Sequence, residues 1–562
     1  MKIYFFKGLV LSLMISVCFA SCQDMMETES SLLSYPDEHE LNTSADTVYS
    51  VIGIMNKIQA LADRSVLLGE LRADLVDLNE NTISSLREIA NFEISEDNPY
   101  NDPKDYYAVI NNCNYFLQKL DTALRKRNEP IFIREFAAVK SFRAWTYLQL
   151  VLNYGQVPFY TEAILSEADA ARDFPEYNIE EVCSYFIEDL LPYVDVELPG
   201  YGSIADLDSR LFYIPIRLLL GDLCLWSQRY SEAAAHYHEY LNENELYTGT
   251  YRIEFTEDDL QFEGRILSNS YGGMFSNLSS GSDVISIIPM DSSVSSNAYS
   301  QLRNYFNSTI NNELKFQLLP SKRIQEISAS QIFCRAKQNG SPTYAPLANE
   351  VNPLLAGDLR LNAYWLKMMA EGKEIQTIMK FTTDHVFTYR KGLIYLRYAE
   401  ALNRAGYPES AFTILKYGLN NNNLTRFVSP REYQSGSGIN PLLAFNPTLF
   451  TNTNTLGIHS RGSGDSEYNE FYVLPTPTDS LESWQDTLDY RIEKVEELIL
   501  TEMALETALE GHRYYDLMRV ALRRGQEAYL AEKVALRKGS SNRDDVLYNR
   551  LLTKNNWYLK MK

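Results

Sequence analysis

Acidic, basic and aromatic side chains crowd one short segment near the C-terminus, LETALEGHRYYDLMRV, residues 505–520. Within it, Glu510 and His512 are the residue types of a general acid–base pair, in which a carboxylate and an imidazole pass a proton. Such a pair needs both side chains on the same side of the chain. Residues two apart on a helix point in different directions. The spacing therefore argues against an active site in this segment.

The same segment has the pattern of a corner between two helices. Glu510 and Arg513 are three residues apart, and so are Asp516 and Arg519, which allows ion pairs across one helical turn. Gly511 supplies a backbone that tolerates a sharp turn. We predict that Glu510, Gly511, Arg513 and Asp516 form a structural corner, and a catalytic Glu510–His512 pair is the alternative.

Other catalytic signatures are missing from the sequence. The chain has 6 His, and two of them, His236 and His238, are two apart on a predicted helix and cannot converge on one metal ion. The patterns HExxH, GxSxG and the Walker loop do not occur. Acid pairs such as Asp258–Asp259 support glycoside hydrolysis only when a fold places two carboxylates in one cleft. We predict a non-enzymatic protein with no metal and no cofactor.

The composition is that of a folded, acidic and tyrosine-rich protein. The chain has 562 residues, 45% of them apolar, and a formal net charge of −22. An acidic chain without a basic stripe repels nucleic acid backbones, so we expect no nucleic acid partner. Tyr, with 39 copies, outnumbers Phe and Trp, with 25 and 5. A ring that carries a hydroxyl suits wet, half-buried surfaces.

The N-terminus, MKIYFFKGLVLSLMISVCFASCQDMM, has the pattern of an export signal. Two lysines precede an apolar run that is too short to span a bilayer and ends in small residues. Ala20-Ser21-Cys22 resembles the lipobox of bacterial lipoproteins, in which the cysteine becomes the acylated N-terminus. We predict a signal peptide at 1–21, lipidation at Cys22 and a polar tether over 22–45; an ordinary cleaved signal is the alternative.

Helical periodicity dominates the rest of the chain. Apolar residues recur at three- and four-residue steps in four regions, and we predict helix pairs near 131–160, 211–241, 392–420 and 491–525. The third region has the helix–turn–helix pattern of a tetratricopeptide repeat. Long segments rich in Ser, Asn and Gly separate the pairs, which excludes a regular solenoid. We predict one mainly α domain over 46–562, with long irregular loops and little β structure.

Four cysteines follow the predicted export signal region, namely Cys113, Cys183, Cys224 and Cys334. They allow three disulfide pairings, and the sequence does not choose among them. Because a buried, inert thiol is the common state of cysteines in helical patterns, we expect no essential disulfide.

An ordered set of motifs resembles the SusD/RagB family of nutrient-binding outer-membrane lipoproteins from Bacteroidetes. SFRAWTYLQLVLNYGQVPF (141–159) is similar to that family's RAxxYxxLxxxYGxVP segment, and LIYLRYAEALNRAG (393–406) to its LxRYAEALNRxG helix. Asp358-Leu359-Arg360 matches a DxR pattern, and EGHRYYDLMR (510–519) an EGxRxxDLxR corner. One departure is LTEMALET before the corner, where the family often has ERRxEL.

The resemblance implies a SusD-like helical body on tetratricopeptide-like pairs. It also implies a non-catalytic lipoprotein, anchored by lipid to the outer membrane and exposed at the cell surface. Such a protein binds oligosaccharides and delivers them to a TonB-dependent, SusC-like transporter, as in starch utilization systems. A RagB-like peptide-binding lipoprotein and a tetratricopeptide-type protein-interaction scaffold are the alternatives.

Ligand contacts are predicted on two polar, aromatic-bearing loops, because the family builds its binding sites on loops away from the tetratricopeptide body. Aromatic rings stack on the apolar faces of sugars, and amides and guanidiniums bond their hydroxyls. The candidate residues are Asn98, Tyr100 and Asn101 in the first loop and Asn297, Tyr299, Arg303 and Tyr305 in the second. Ordinary loop packing is the alternative for each of them.

Overall fold

A computed structural model describes most of the chain. It covers residues 41, 44–122, 124–126, 129–244, 251–255, 266–279, 282–293, 295–296, 298–309, 316–337, 339–344, 357–448, 455–477 and 483–561. The predicted signal peptide (1–21) and Cys22 lie outside the described residues.

The described chain is mainly helical, as the sequence predicts. Its α-helices are α1 (Ser44–Gln59), α2 (Ala62–Leu71), α3 (Ser84–Asn91), α4 (Lys104–Lys119), α5 (Ile133–Tyr154), α6 (Glu167–Ala170), α7 (Ile179–Leu190), α8 (Ile216–Trp226), α9 (Tyr230–Asn244), α10 (Ser270–Gly273), α11 (Leu302–Phe306), α12 (Lys322–Ala329), α13 (Arg360–Tyr364), α14 (Lys391–Arg404), α15 (Pro408–Lys416), α16 (Asn421–Phe427), α17 (Pro430–Tyr433), α18 (Ser460–Ser463), α19 (Trp484–Glu506), α20 (Arg513–Arg524), α21 (Glu527–Ala535) and α22 (Asp545–Leu551). Short 3-10 helices lie at Leu191–Tyr193, Ser209–Phe212, Met274–Ser276, Met379–Phe381, Pro441–Leu443, Ser466–Tyr468 and Lys554–Trp557.

The strands form isolated antiparallel pairs. Those pairs are β1 (Val76–Leu78) with β11 (Leu318–Pro320), β2 (Arg125–Lys126) with β3 (Glu129–Pro130), β4 (Gln156–Pro158) with β5 (Glu176–Asn178), β6 (Ser203–Ile204) with β7 (Leu207–Asp208), β8 (Ile253–Phe255) with β9 (Ile266–Asn269), β10 (Val284–Ile288) with β16 (Val386–Arg390), β12 (Cys334–Ala336) with β13 (Pro342–Tyr344), β14 (Trp365–Ala370) with β15 (Lys373–Ile378), and β17 (Gln434–Ser435) with β18 (Gly438–Ile439). The predicted excess of helix over strand is confirmed.

Three of the four predicted helix-pair regions hold two helices. The 211–241 region contains α8 and α9, the 392–420 region α14 and α15, and the 491–525 region most of α19 with α20. Between α14 and α15 the chain turns at Gly406, which has φ +95°, and Pro408 begins the second helix. Glycine tolerates this φ, and proline is favoured at a first helical position, so the residues of the turn itself determine its structure.

The region 131–160 differs from the prediction. It holds one long helix, α5, followed by strand β4, and α5 packs against the preceding helix α4. Helix α5 ends at Tyr154, and the next residue, Gly155, has φ +78°, which glycine adopts without strain. A Cβ at Gly155 would lie 2.9 Å from the ring of Tyr558, so the helix end also packs against the C-terminal segment.

The two ends of the described chain pack on each other. The segment that follows α2 inserts among the C-terminal helices, where the Arg513 guanidinium donates to Asp74 at 2.8 Å. The Arg537 guanidinium donates to the carbonyl oxygens of Leu71 at 2.6 Å and Ala73 at 3.0 Å. The N-terminal helices are therefore held by elements that are synthesised last.

A buried ion network links the middle of the chain to α19. The side chains of Arg360, Arg390 and Arg461 converge on the Glu506 carboxylate, with N–O distances of 3.1, 2.6 and 2.7 Å. Further carboxylates in contact with these arginines are Asp283, Asp358, Glu502 and Glu510, and Lys380 adds a fourth cation. All of these side chains are at most 5% exposed.

The network fixes the charge of its own carboxylates. Burial alone would raise the pKa of Glu506, but the Arg461, Arg390 and Arg360 guanidiniums hold it far below its ordinary value of 4.5. In the same way, Arg360 and His459 lower the pKa of the buried Glu502 to about 2. Because Glu502 is ionised, its Oε1 accepts a hydrogen bond from His459 Nδ1 at 2.6 Å.

The four cysteines Cys113, Cys183, Cys224 and Cys334 are free and buried. Burial raises the pKa of the Cys113 thiol to about 12, so it stays protonated at neutral pH. Within the described ranges, the structure contains no helix with the length and apolarity needed to cross a membrane.

Candidate functional site

A cleft with a volume of about 1040 Å³ lies at the C-terminal end of α1. We call it the α1 cleft. Its walls come from the end of α1, the start of α4, the tip of the β6–β7 hairpin, residues 289–292, 296 and 298, and the turn before β16. The lining residues are Asn56, Lys57, Gln59, Ala60, Asp105, Ala108, Ala205, Pro289, Met290, Asp291, Ser292, Ser296, Ala298, Asp384 and His385.

Hydrogen bonds clamp the α1–α2 corner to the opposite wall of the cleft. The Gln59 amide donates to the carbonyl oxygen of Pro289 at 2.5 Å. The Asp63 carboxylate accepts from the Ser300 hydroxyl at 2.6 Å and from the Gln301 backbone N–H at 2.7 Å. These contacts join residues more than two hundred positions apart, and they give the cleft a preformed shape.

His385 lines the cleft, and one nitrogen of its ring is bonded to the backbone. The backbone N–H of Met290 donates to His385 Nδ1 at 3.0 Å, so Nδ1 acts as the acceptor. Burial lowers the pKa of His385 below its ordinary value of 6.5, which keeps the ring neutral at neutral pH. A neutral ring that accepts at Nδ1 carries its proton on Nε2.

Three carboxylates contribute acceptors, and two of them are paired with arginines. Asp105 lies 2.6 Å from the buried Arg64 guanidinium, and Asp384 lies 3.8 Å from that of Arg303. Asp291 accepts from the backbone N–H of Ser293 at 2.9 Å. With the nearby amides, hydroxyls and Lys57, the lining offers many donors and acceptors and suits a ligand rich in hydroxyl groups.

No Tyr, Trp or Phe occurs among the described residues that line the α1 cleft. In the described ranges, no group of three or more His, Cys, Asp or Glu is placed to hold a metal ion.

The first predicted ligand loop is largely packed into the protein. Asn98 is 4% exposed and donates to the Ser85 carbonyl and the Glu88 carboxylate, both at 2.9 Å. Asn101 is 2% exposed. These two amides hold the loop in shape, and a ligand reaches them only after the loop moves.

The two predicted loops meet beside the α1 cleft. The hydroxyls of Tyr100 and Tyr305 lie 3.2 Å apart. Tyr299 accepts from the Asn304 amide at 3.1 Å, and the Arg303 side chain is 53% exposed. Asn297 lies outside the described residues. Of the predicted residues that the structure describes, none lines the cleft itself, although Arg303 contacts its Asp384.

Sequence reasoning missed the residues that do line the cleft, such as Asn56, Gln59, Asp384 and His385. They come from separate elements, and no spacing along the chain marks them. The sequence offers one cue, the polar pair Asn56-Lys57 near the end of α1. Polar residues are common at helix ends, so this pair does not by itself indicate a binding site.

The predicted corner at Glu510 has different partners from those expected. Glu510 binds Arg390 and Lys380 at 2.6 and 2.5 Å, and Arg513 binds Asp74, so the expected Glu510–Arg513 pair does not form. The reason is that no helix spans these positions, because α19 ends at Glu506 and α20 begins at Arg513. The expected pair of Asp516 and Arg519, within α20, does form at 2.9 Å.

Gly511 is required where α20 meets α2. Its φ is +91°, and its backbone N–H donates to Glu70 Oε1 at 2.8 Å. A Cβ at this position would lie 2.5 Å from the backbone oxygen of Ser65. The close approach of the two helices depends on the missing side chain.

Gly511→Ala is expected to lower the free energy of unfolding by about 1–3 kcal/mol, because alanine is strained at this φ and its methyl meets backbone. Urea denaturation followed by circular dichroism measures the change. Gly53→Ala is the matched control, since Gly53 lies within α1 with no atom within 4 Å of its added Cβ. That control is expected to gain about 0.5–1 kcal/mol. Equal stability of the two variants contradicts the role of Gly511.

Comparisons with known proteins identify the fold. No family model and no curated protein matches the chain. Surface glycan-binding protein A from Bacteroides uniformis superposes with a TM-score of 0.54 at 15% identity, covering 92% of this chain and 96% of that chain. A SusD superfamily protein from Bacteroides vulgatus gives 0.55 at 16%, with 91% and 92% covered.

A SusD-like protein from Bacteroides fragilis gives a TM-score of 0.55 at 18% identity, covering 85% of this chain and 86% of that chain. The similarity in each case runs over most of both chains, while the identity is low. This chain therefore has the SusD-like fold.

Proposed function

We propose that this protein is a non-catalytic, cell-surface lipoprotein that binds oligosaccharides in the α1 cleft and delivers them to a SusC-like, TonB-dependent transporter. The observation that carries the proposal is the lining of the cleft. Carboxylate, amide, hydroxyl and imidazole groups face a rigid space of about 1040 Å³ in a fold shared with a surface glycan-binding protein. Sugars present many hydroxyls and need this density of donors and acceptors.

The binding chemistry requires no bond to break. His385 donates from Nε2, while Asp291 and the Asn56 and Gln59 side-chain oxygens accept from sugar hydroxyls. The apolar surfaces of Met290 and Pro289 meet the C–H face of a sugar ring. Asp105 is paired with the Arg64 guanidinium, which balances its charge. Such a carboxylate is suited to accept hydrogen bonds from the hydroxyls of the ligand and not to transfer a proton.

Native gel electrophoresis through dissolved polysaccharides tests the proposal. We expect at least one neutral polysaccharide, from a panel of amylopectin, xylan, galactomannan, laminarin and dextran, to retard the chain, and no reducing sugar to appear on incubation. Retardation by none of them, together with binding of a peptide library, favours the peptide-binding alternative. Release of reducing sugar contradicts the non-catalytic assignment.

The lipid anchor is tested separately at Cys22, which lies outside the described residues. Cys22→Ala is expected to move the protein from the membrane fraction to the soluble fraction, because acyl chains contribute about 0.8 kcal/mol for each buried methylene. Fractionation of cells that express each variant measures the change. Cys18→Ala is the control and is expected to stay with the membrane. If Cys22→Ala stays attached as firmly as the parent, the anchor assignment is wrong.

A further inference from the structure

The exposed face of α1 carries an aromatic ring two helical turns before the α1 cleft. Tyr49 is 72% exposed and Ile52 is 39% exposed. Gly53 and Asn56 are exposed as well, and the spacing of these four residues places them on one side of the helix. Asn56 also lines the cleft, so the face runs into it without a break.

The helix backbone is exposed at the centre of this face, at Gly53. At Gly53 an added Cβ would have no atom of another described element within 4 Å, and Gly53 itself is exposed. Tyr49 lies four residues before Gly53, on the same side of the helix. Its ring therefore lies at one end of the exposed face, next to the exposed backbone at Gly53. Tyr49 and Asn56 are seven residues apart, or about 10 Å along the helix axis.

The chemistry of the face complements that of the cleft. The cleft lining supplies hydrogen bonds but, in its described residues, no Tyr, Trp or Phe. The face supplies a ring on which the C–H side of a sugar stacks, with an apolar neighbour in Ile52 and an amide in Asn56 at the cleft end. A helix also holds these groups at fixed spacing, so little ordering is required on binding.

We propose that this face, defined by Tyr49, Ile52, Gly53 and Asn56, is an extension subsite for the part of an oligosaccharide chain that projects from the α1 cleft. The inference rests on the proposed function and specifies it further. The ligand is a chain longer than the cleft, and Tyr49 selects for length. Short oligosaccharides fill the cleft alone and do not reach Tyr49.

The test compares oligosaccharides of increasing length, prepared from the polysaccharide that retards the wild-type chain, by isothermal titration calorimetry. Tyr49→Ala is expected to weaken binding of the long members roughly three- to tenfold, the scale of one aromatic contact, and to leave the short members unchanged. Tyr49→Phe retains the ring and is expected to retain the length preference. Gly53→Leu, which places a side chain in the middle of this face, is expected to weaken binding of the long members as Tyr49→Ala does.

Two controls separate this subsite from the cleft. Tyr468→Ala removes another Tyr of 43% exposure that does not line the cleft, and it is expected to leave every affinity unchanged. A variant that obstructs the cleft weakens long and short members alike. If obstruction abolishes binding while Tyr49→Ala and Gly53→Leu change nothing, the subsite is overturned and the proposed function stands. If no polysaccharide binds the wild-type chain, both are overturned.

Discussion

Glu506→Ala is expected to lower the free energy of unfolding by about 3–5 kcal/mol, the usual effect of removing one partner from a buried ion pair. Three guanidiniums share this carboxylate, and none of them is exposed to water that would solvate its charge. Domains are stable by only about 5–15 kcal/mol, so the variant is expected to be marginal. Urea denaturation followed by circular dichroism measures the loss.

The matched control for this prediction is Glu532→Ala. Glu532 lies within helix α21 and pairs with Arg543 at the surface, where both side chains are more than 40% exposed. Its removal is expected to cost less than about 1 kcal/mol. A Glu506→Ala protein as stable as this control contradicts the role of the buried network.

The same carboxylate predicts how stability depends on pH. The folded-state pKa of Glu506 lies far below 4.5, its ordinary value, so its contribution is complete above pH 4.5 and is lost as the pH falls. The wild-type chain is therefore expected to lose stability on acidification below that pH. Glu506→Ala is expected to show a shallower loss over the same range.

Ala60→Trp is expected to weaken oligosaccharide binding at least a hundredfold, which is about 2.7 kcal/mol. Ala60 lines the α1 cleft, and its side chain is exposed in the turn after α1, so an indole at this position fills the cleft without displacing the core. The effect is expected for every chain length. Gel retardation and calorimetry with the retarding polysaccharide measure it.

Ala170→Trp is the control for this obstruction. Ala170 is exposed at the end of α6 and does not line the cleft, so the same change in side chain is expected to leave affinity unchanged. Both variants are expected to melt at the temperature of the wild-type chain, which excludes unfolding as the cause. Full affinity in Ala60→Trp removes the α1 cleft as the binding site.

Local features of the fold are predictable from sequence because their causes are local. Gly406 and Pro408 set the turn between α14 and α15, in the region with the helix–turn–helix pattern, and Gly155 lies at the end of α5. Each of these depends on neighbours within a few residues.

The ion-pair partners of Glu510 could not be predicted from spacing along the sequence. Spacing favours Arg513, yet the carboxylate binds Lys380 and Arg390, which are far away along the chain. The lining of the α1 cleft could not be predicted either, because Asn56 and His385 are far apart in the sequence and only the fold brings them to one cleft. Pairings of this kind are decided by how helices pack, and no periodicity within one segment records them.

The buried ion network also limits the order in which the molecule can assemble. A chain that emerges from its N-terminus delivers Asp283, Arg360 and Arg390 well before Glu506 and Glu510, which complete the network. Until then these early side chains keep their water, since an unpaired charge is not stable in a dry interior. A truncated chain that ends before α19 would therefore keep an open, hydrated middle, and a quality-control protease would find it accessible.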